Sequence, residues 1–175
     1  MDSKELNQLL IKDTILIIKK LIVSEKLLKD NSEKNILKHL GSWLGIMTLA
    51  RNKPILSKDL ELKELIFDAY QNGKLTAIAP FICRILEHSS KTKVFHPKNP
   101  WIQAIMSILL ELFNKSQLRI TLRFEIENIF KKLEIDMNQV NQTRVLDQFV
   151  VNPNSIDFTR VSQCYLYIDF INVIY

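Results

Sequence analysis

Apolar residues recur at spacings of three and four along most of the chain. Between residues 6 and 22 they fall at Leu6, Leu9, Leu10, Ile11, Ile15, Ile18, Leu21 and Ile22, which predicts a first helix with one buried stripe. A more polar stretch over 24–31 separates it from a second helix, for which Ser32 is the expected N-cap and Ile36, Leu37, Leu40, Trp43, Leu44 and Met47 the stripe. A second pair is expected over 59–72 and 75–88. Its first helix turns Leu62, Leu65, Ile66 and Ala69 inward and stops at Gly73. Its second carries Ile78, Ile82, Ile85 and Leu86, with Pro80 either in the first turn or kinking the helix. The third pair opens on Asn99 as cap and Pro100 at the first helical position, with Trp101, Ala104, Ile105, Ile108, Leu109 and Leu112 as its stripe. The partner helix over 121–133 is expected to bury Leu122, Ile126, Ile129 and Phe130.

The second helices of the three pairs begin near residues 33, 75 and 121, a period of roughly 42 to 46 residues, as in HEAT-type repeats. Gly41 and Gly45 share one helix face around Trp43. Each glycine costs a helix interior roughly 1 kcal/mol against alanine, so the pair implies a backbone that must approach a neighbouring helix closely. The run ends at Arg51, Asn52, Lys53 and Pro54, where proline lacks an amide and pushes Lys53 out of helical geometry. The last segment, 161–175, is rich in β-branched and aromatic residues, and propensity favours an extended form; packing on the last pair as an irregular or helical cap is the alternative.

Composition adds little sheet signal. With 175 residues, 47% hydrophobic, and only 3 Gly and 5 Pro, the chain is expected to form one mostly helical core. Cys83 and Cys164 lack metal-ligand spacing, which suggests a reduced intracellular setting. The beginning lacks the basic flank of a signal peptide, and no segment approaches about 18 uninterrupted apolar residues, so no membrane partner is expected. The net charge of +5 is uneven: from 137 onward two arginines face three aspartates, leaving −1, so the first 136 residues carry +6. Such a surface is either a solvated lysine-rich face or one suited to an acidic or nucleic-acid partner.

The blocks LKHLGSWLGIMTLARNKPIL at 37–56, VFHPKNPWIQAIMSILLELF at 94–113 and LRFEIENIFKKLEIDMNQV at 122–140 carry a family likeness. Together they resemble the middle domain of the largest Not-family subunit, the scaffold of the eukaryotic Ccr-Not mRNA deadenylase complex. The resemblance runs over about 5–140 and includes Leu40-Gly41, Trp43-Leu44-Gly45, Asn52-Lys53-Pro54-Ile55-Leu56, Asn99-Pro100-Trp101 and Phe124-Glu125-Ile126-Glu127 after Arg123. It implies an all-α stack of HEAT-like helix pairs of the initiation factor 4G middle-domain type over 1–140, without the family's first helices, and a divergent tail over 141–175. It further implies a noncatalytic adaptor in mRNA deadenylation and translational repression, in the cytoplasm with the nucleus as a second compartment. The implied partners are a Caf-type poly(A) ribonuclease, a DEAD-box RNA helicase on a separate surface and other Ccr-Not subunits, with mRNA met indirectly and no cofactor.

Two loops are the candidate contact sites. In the first, Arg51, Asn52, Lys53 and Lys58 surround the rigid turn at Pro54 and suit an acidic partner, or simply connect two helix pairs through Ile55 and Leu56. In the second, Lys91, Lys93, Phe95, His96, Lys98 and Asn99 mix basic and aromatic character, and residues 84–98 carry +3; Phe95 is either an anchor for RNA or protein or a staple to the core. The alternative to an adaptor is a direct RNA-binding module using the basic face of 84–132, and a third reading is a helical enzyme. For the last, His39, His88 and His96 lack ligand spacing, and Glu125 and Glu127 fall on different sides of their helix.

Overall fold

A computed structural model describes residues 3–90, 92–152 and 155–159. The expectations for 161–175, Cys164 and Lys91 lie outside the described residues. Six helices succeed one another: α1 (Ser3–Val23), α2 (Asn31–Met47), α3 (Leu62–Asn72), α4 (Leu75–Leu86), α5 (Pro100–Asn114) and α6 (Ile120–Lys132). Among the described residues there is no sheet, only one isolated antiparallel bridge between Leu118 and Phe158. The fold is all-α, built from helix pairs in the HEAT-like manner.

Local chemistry sets the boundaries. Asp30, not Ser32, caps α2: it takes the extended conformation and its carboxylate accepts the Ser32 N–H at 2.7 Å, so α2 starts one residue earlier than Ser32. The intervening stretch is not merely polar, since a 3-10 turn at Glu25–Leu28 drops Leu27 fully into the core. Helix α3 starts at Leu62, three residues after the expected 59, because Glu61 takes the extended cap conformation. Gly73 ends it at φ 71°, a left-handed geometry that glycine adopts without penalty. Asn99 caps α5 by accepting the Trp101 N–H at 2.8 Å, with Pro100 at the first position. Pro80 sits in the interior of α4 rather than its first turn, and α4 runs on through it to Leu86.

The packing is organised by the second helices. Helix α2 lies most extensively along α4, and α4 along α6, so the three form a continuous row with α1, α3 and α5 outside it. The two glycines serve this row and not the α1–α2 hairpin. A Cβ on Gly41 would sit 2.7 Å from the Phe81 carbonyl oxygen, and one on Gly45 would sit 2.7 Å from that of Ile85, so both mark backbone-to-helix approach between α2 and α4. Leu37, Leu44, Ile78, Phe81, Ile82, Ile85 and Ile126 fill the seam. Trp43 is only half-buried at its edge.

Two expected stripes differ. On α1, Ile15 and Ile18 are buried and Ile11, Leu21 and Ile22 pack against the core, but Leu6, Leu9 and Leu10 are exposed, because they lie on the opposite side of the helix. On α2, Ile36 is also exposed. At the other end α5 is buried on nearly all sides, since the chain beyond α6 folds back over it. The buried Glu111 carboxylate accepts the Thr143 hydroxyl at 2.8 Å and the Val145 and Leu146 N–H groups at 3.0 and 2.9 Å. Further on, fully buried Asp157 accepts the Leu75 and Thr76 N–H groups at 2.9 Å each, capping α4 from about 80 residues away in sequence.

Candidate partner-binding surface

The two candidate loops meet. After α2, Thr48 accepts the Arg51 and Lys53 N–H groups on its carbonyl, at 3.0 and 2.9 Å, and a 3-10 turn carries the chain to Asn52. Asn52 is left-handed, φ 56°, a conformation that asparagine tolerates better than most side chains. That geometry aims its Oδ1 at the second loop, where it accepts the Val94 N–H at 2.8 Å. The Val94 carbonyl in turn accepts from Asn99 Nδ2 at 2.8 Å. Asn52 and Asn99 thus clamp one backbone residue between the ends of two helix pairs, and Asn99 also caps α5.

Within the second loop, Phe95 packs on the core and edge-on to Trp101, with ring centroids 6.0 Å apart. It acts as a staple. His96 Nδ1 accepts the Lys98 N–H at 3.2 Å, leaving both side chains on the exposed rim beside Val94. In the first loop, Arg51, Asn52 and Lys58 are exposed and Lys53 is half-buried.

Lys53 and Lys58 also line an open groove of about 690 Å³ that runs between this loop and α1. Its apolar floor is Ile11, Ile15, Pro54, Ile55 and Leu56, and its ionisable rim is Lys12, Lys53 and Lys58 against the single acid Asp59. Gln8 and Lys12 come from α1 and lie outside the expected contact set. Their sequence signal is faint: a polar pair four apart that interrupts the apolar run of the first helix. The groove is suited to an apolar anchor flanked by carboxylates, because the floor gains from desolvation and the rim attracts negative charge.

A second charged feature lies across the row of second helices. Lys38 on α2 pairs with Glu125 on α6 at 2.9 Å, Arg84 on α4 pairs with Glu87 at 3.0 Å and reaches Glu125 at 3.8 Å, and Lys132 donates to Glu87 at 2.5 Å. Burial works against the Glu87 carboxylate, but its bond to Lys132 and the charges of Lys132 and Arg84 hold its pKa below the usual carboxylate range. Burial lowers the pKa of His88, whose Nε2 lies 3.0 Å from the Ser42 hydroxyl. Beneath this lattice the fully enclosed Cys83 thiol is pushed up to about 12 by burial, which makes it an inert core residue.

The same pairings bear on the basic face of 84–132. Arg84, Lys131 and Lys132 are tied to glutamates, Lys115 to Asp147 at 2.6 Å, and Arg123 donates to the Lys115 carbonyl at 2.6 Å while lying over Phe113. These matched cations make a poor track for phosphates, whereas Lys93, Lys98 and Arg119 stand in no ion pair among the described residues. Glu125 and Glu127 diverge, the first toward Lys38 and Arg84, the second toward Lys131, so they do not form an acid and base pair.

Residues 1–155 match the family described as the CCR4-NOT transcription complex subunit 1 CAF1-binding domain. The "CCR4-NOT transcription complex subunit let-711" of Caenorhabditis elegans is 48% identical over 117 residues, which is 66% of this chain and 4% of that protein. The "General negative regulator of transcription subunit 1" of Schizosaccharomyces pombe is 32% identical over 155 residues, 89% of this chain and 7% of the relative. Its namesake in Saccharomyces cerevisiae is 36% identical over 115 residues, 66% of this chain and 6% of the relative. The chain therefore spans less than a tenth of the length of these relatives. With the family covering 155 of 175 residues, the chain belongs to the CAF1-binding domain family of CCR4-NOT complex subunit 1.

Proposed function

We propose that this chain is a noncatalytic scaffold that docks a Caf-type poly(A) ribonuclease and, on a separate surface, a DEAD-box RNA helicase, in cytoplasmic mRNA deadenylation and translational repression. It corresponds, in this reading, to the middle, initiation factor 4G-like domain of the largest Not-family subunit. The observation that carries the reading is the open, lysine-rimmed groove with an apolar floor, set against a helix stack whose backbones are in close contact at Gly41 and Gly45. The family's own description, CAF1-binding, supports the choice of nuclease. A rigid stack presents its rim without an ordering cost on binding. Tethering then raises the effective concentration of the nuclease near its substrate without any chemistry by the scaffold.

The test is binding of the purified chain to a Caf-type deadenylase and, separately, to a DEAD-box helicase, by titration calorimetry. The double variant Lys53→Glu with Lys58→Glu should weaken one partner by about tenfold or more, about 1.4 kcal/mol, and leave the other and the helical circular dichroism unchanged. Unchanged binding of both partners removes the groove from the interface. Failure of the wild-type chain to bind either partner sinks the reading itself. Direct RNA binding would instead show as an association falling steeply with salt, and the internal pairing of Arg84, Lys115, Lys131 and Lys132 reduces the charge available for it.

A further inference from the structure

Two connectors between helix pairs form one surface. Residues 51–58 link α2 to α3 and residues 92–99 link α4 to α5, so neither belongs to an end of the stack. Asn52 Oδ1 accepts the Val94 N–H, and Asn99 Nδ2 donates to the Val94 carbonyl, each at 2.8 Å, which fixes the second loop against the first. Arg51 and Lys53 bracket Asn52, Lys93 precedes Val94 and Lys98 precedes Asn99. The bonds thereby bring the backbones of four cationic residues together around Val94, an aliphatic side chain that is 50% exposed.

Charge on this surface is unmatched. Neither 51–58 nor 92–99 holds an acidic residue, and Arg51, Lys53, Lys58, Lys93 and Lys98 stand in no ion pair among the described residues. Elsewhere the fold pairs its cations internally, as with Lys38, Arg84, Lys115, Lys131 and Lys132. Cations left open on the joined loops suit carboxylates from outside the chain. Phosphates also carry negative charge, but a single-stranded nucleic acid is held by open ring faces on which its bases stack. The rings of this loop are engaged with the core and with each other, Phe95 edge-on to Trp101 at 6.0 Å between centroids. An exposed valine amid open cations therefore favours a protein over RNA.

Resting on the proposed scaffold role, we infer that the groove and the second loop are one docking site, and that Asn52 is the positioning residue that joins its halves. The occupant is a single protein partner that presents carboxylates around an apolar side chain. The groove alone is lined by 11 residues, about half of the roughly 20 to 30 that a stable protein interface engages on each side. Lys53 belongs to both halves, since it lines the groove and follows Asn52 in the chain. A partner that spans both loops grips two connections between helix pairs at once. Its affinity then depends on the register of the loops, which the Asn52 bond sets.

Titration calorimetry of the full chain with a Caf-type deadenylase and with a DEAD-box helicase tests this. Lys93→Glu with Lys98→Glu should weaken, by about tenfold or more, the same partner that Lys53→Glu with Lys58→Glu weakens, and leave the other within about twofold. Asn52→Gly keeps the left-handed backbone without penalty and removes only the acceptor, so it should weaken that partner by about fivefold. In the Asn52→Gly chain the Lys93 and Lys98 reversal should cost at most about threefold, because a released loop has little left to lose. Asn52, Lys93 and Lys98 are exposed, and unchanged helical circular dichroism verifies the fold of each variant. A Lys93 and Lys98 reversal that weakens the other partner, both or neither overturns the single site. Multiplicative effects of Asn52→Gly and the reversal overturn the positioning role. An oligoadenylate of about 15 nucleotides that binds the wild-type chain with a steep salt dependence, and is lost on the reversal while both proteins stay bound, assigns the loop to RNA and overturns the inference. A wild-type chain that binds neither protein overturns the scaffold role and this site with it, whereas bound proteins indifferent to the reversal overturn this site alone.

Discussion

The two ends of the stack start from similar material and finish differently. Helix α1 and helix α5 both carry apolar residues on nearly all sides, yet α1 leaves its outer stripe in water while α5 buries Ile102, Ile105, Met106, Ile108, Leu109, Leu110 and Leu112. The difference lies in the segment beyond α6. There the chain returns across α5, and a 3-10 turn at Val145–Gln148 is held by Glu111, while Phe149 stacks on Phe67 of α3 with centroids 5.0 Å apart. Further along, Asp157 caps α4, and Thr159 donates to the Gln117 carbonyl. An all-round apolar helix therefore has two surfaces that need covering. Its own sequence does not say what covers the second.

That contrast predicts a large difference in mutational cost. Glu111 is 7% exposed, and its carboxylate satisfies two backbone N–H groups and a hydroxyl, so Glu111→Ala leaves buried donors without an acceptor and should cost about 3 kcal/mol in urea unfolding. Leu16, 57% exposed on α1, should change stability by less than about 0.5 kcal/mol as Leu16→Ser in dilute protein. Equal costs at the two positions would erase the distinction between a strapped end and a bare one.

Amphipathic elements are the legible part of this sequence. For α6 the expected inward set, Leu122, Ile126, Ile129 and Phe130, is the buried set, although Ile120 and Phe124 stand exposed on its other face. Gly73 and the Asn99-Pro100 pair are equally readable, since their chemistry is local. The first helix departs from its expected stripe at Leu6, Leu9 and Leu10 because a helix apolar on two faces has no unique inward side. Asp30 and Ser32 are both good caps, and backbone conformation rather than composition decides between them. Each candidate loop is visible separately in the sequence, but the Asn52 to Val94 bond that joins them is tertiary, as is the contribution of Lys12 from α1 to the groove.

Trp43 tests the middle of the stack, between the two ends. A fully buried ring in this seam would cost about 3 to 5 kcal/mol on truncation to alanine. With the ring half-buried at the edge of the α2–α4 contact, Trp43→Ala should cost about 2 kcal/mol, less than Glu111→Ala and well above Leu16→Ser. A loss below about 1 kcal/mol would mean that the ring contributes little to the packing of the row.

The smallest effect is a pH slope at the strapped end. Burial raises the pKa of Asp157, and the N–H groups of Leu75 and Thr76 offset that only in part. An acid whose folded pKa stands above its unfolded value holds its proton more tightly in the folded chain. Its contribution is fully present below the unfolded pKa and is lost as pH rises through the folded one. Glu87, with its pKa lowered among Lys132 and Arg84, has the opposite sign and loses its contribution as pH falls. Asp157→Asn removes the first slope and leaves the second. The stability of wild type relative to this variant should therefore decline from about pH 4 to about pH 7. A relative stability that rises over that interval would show that the two backbone bonds outweigh burial, and that the strap is held by a carboxylate ionised more readily than one in water.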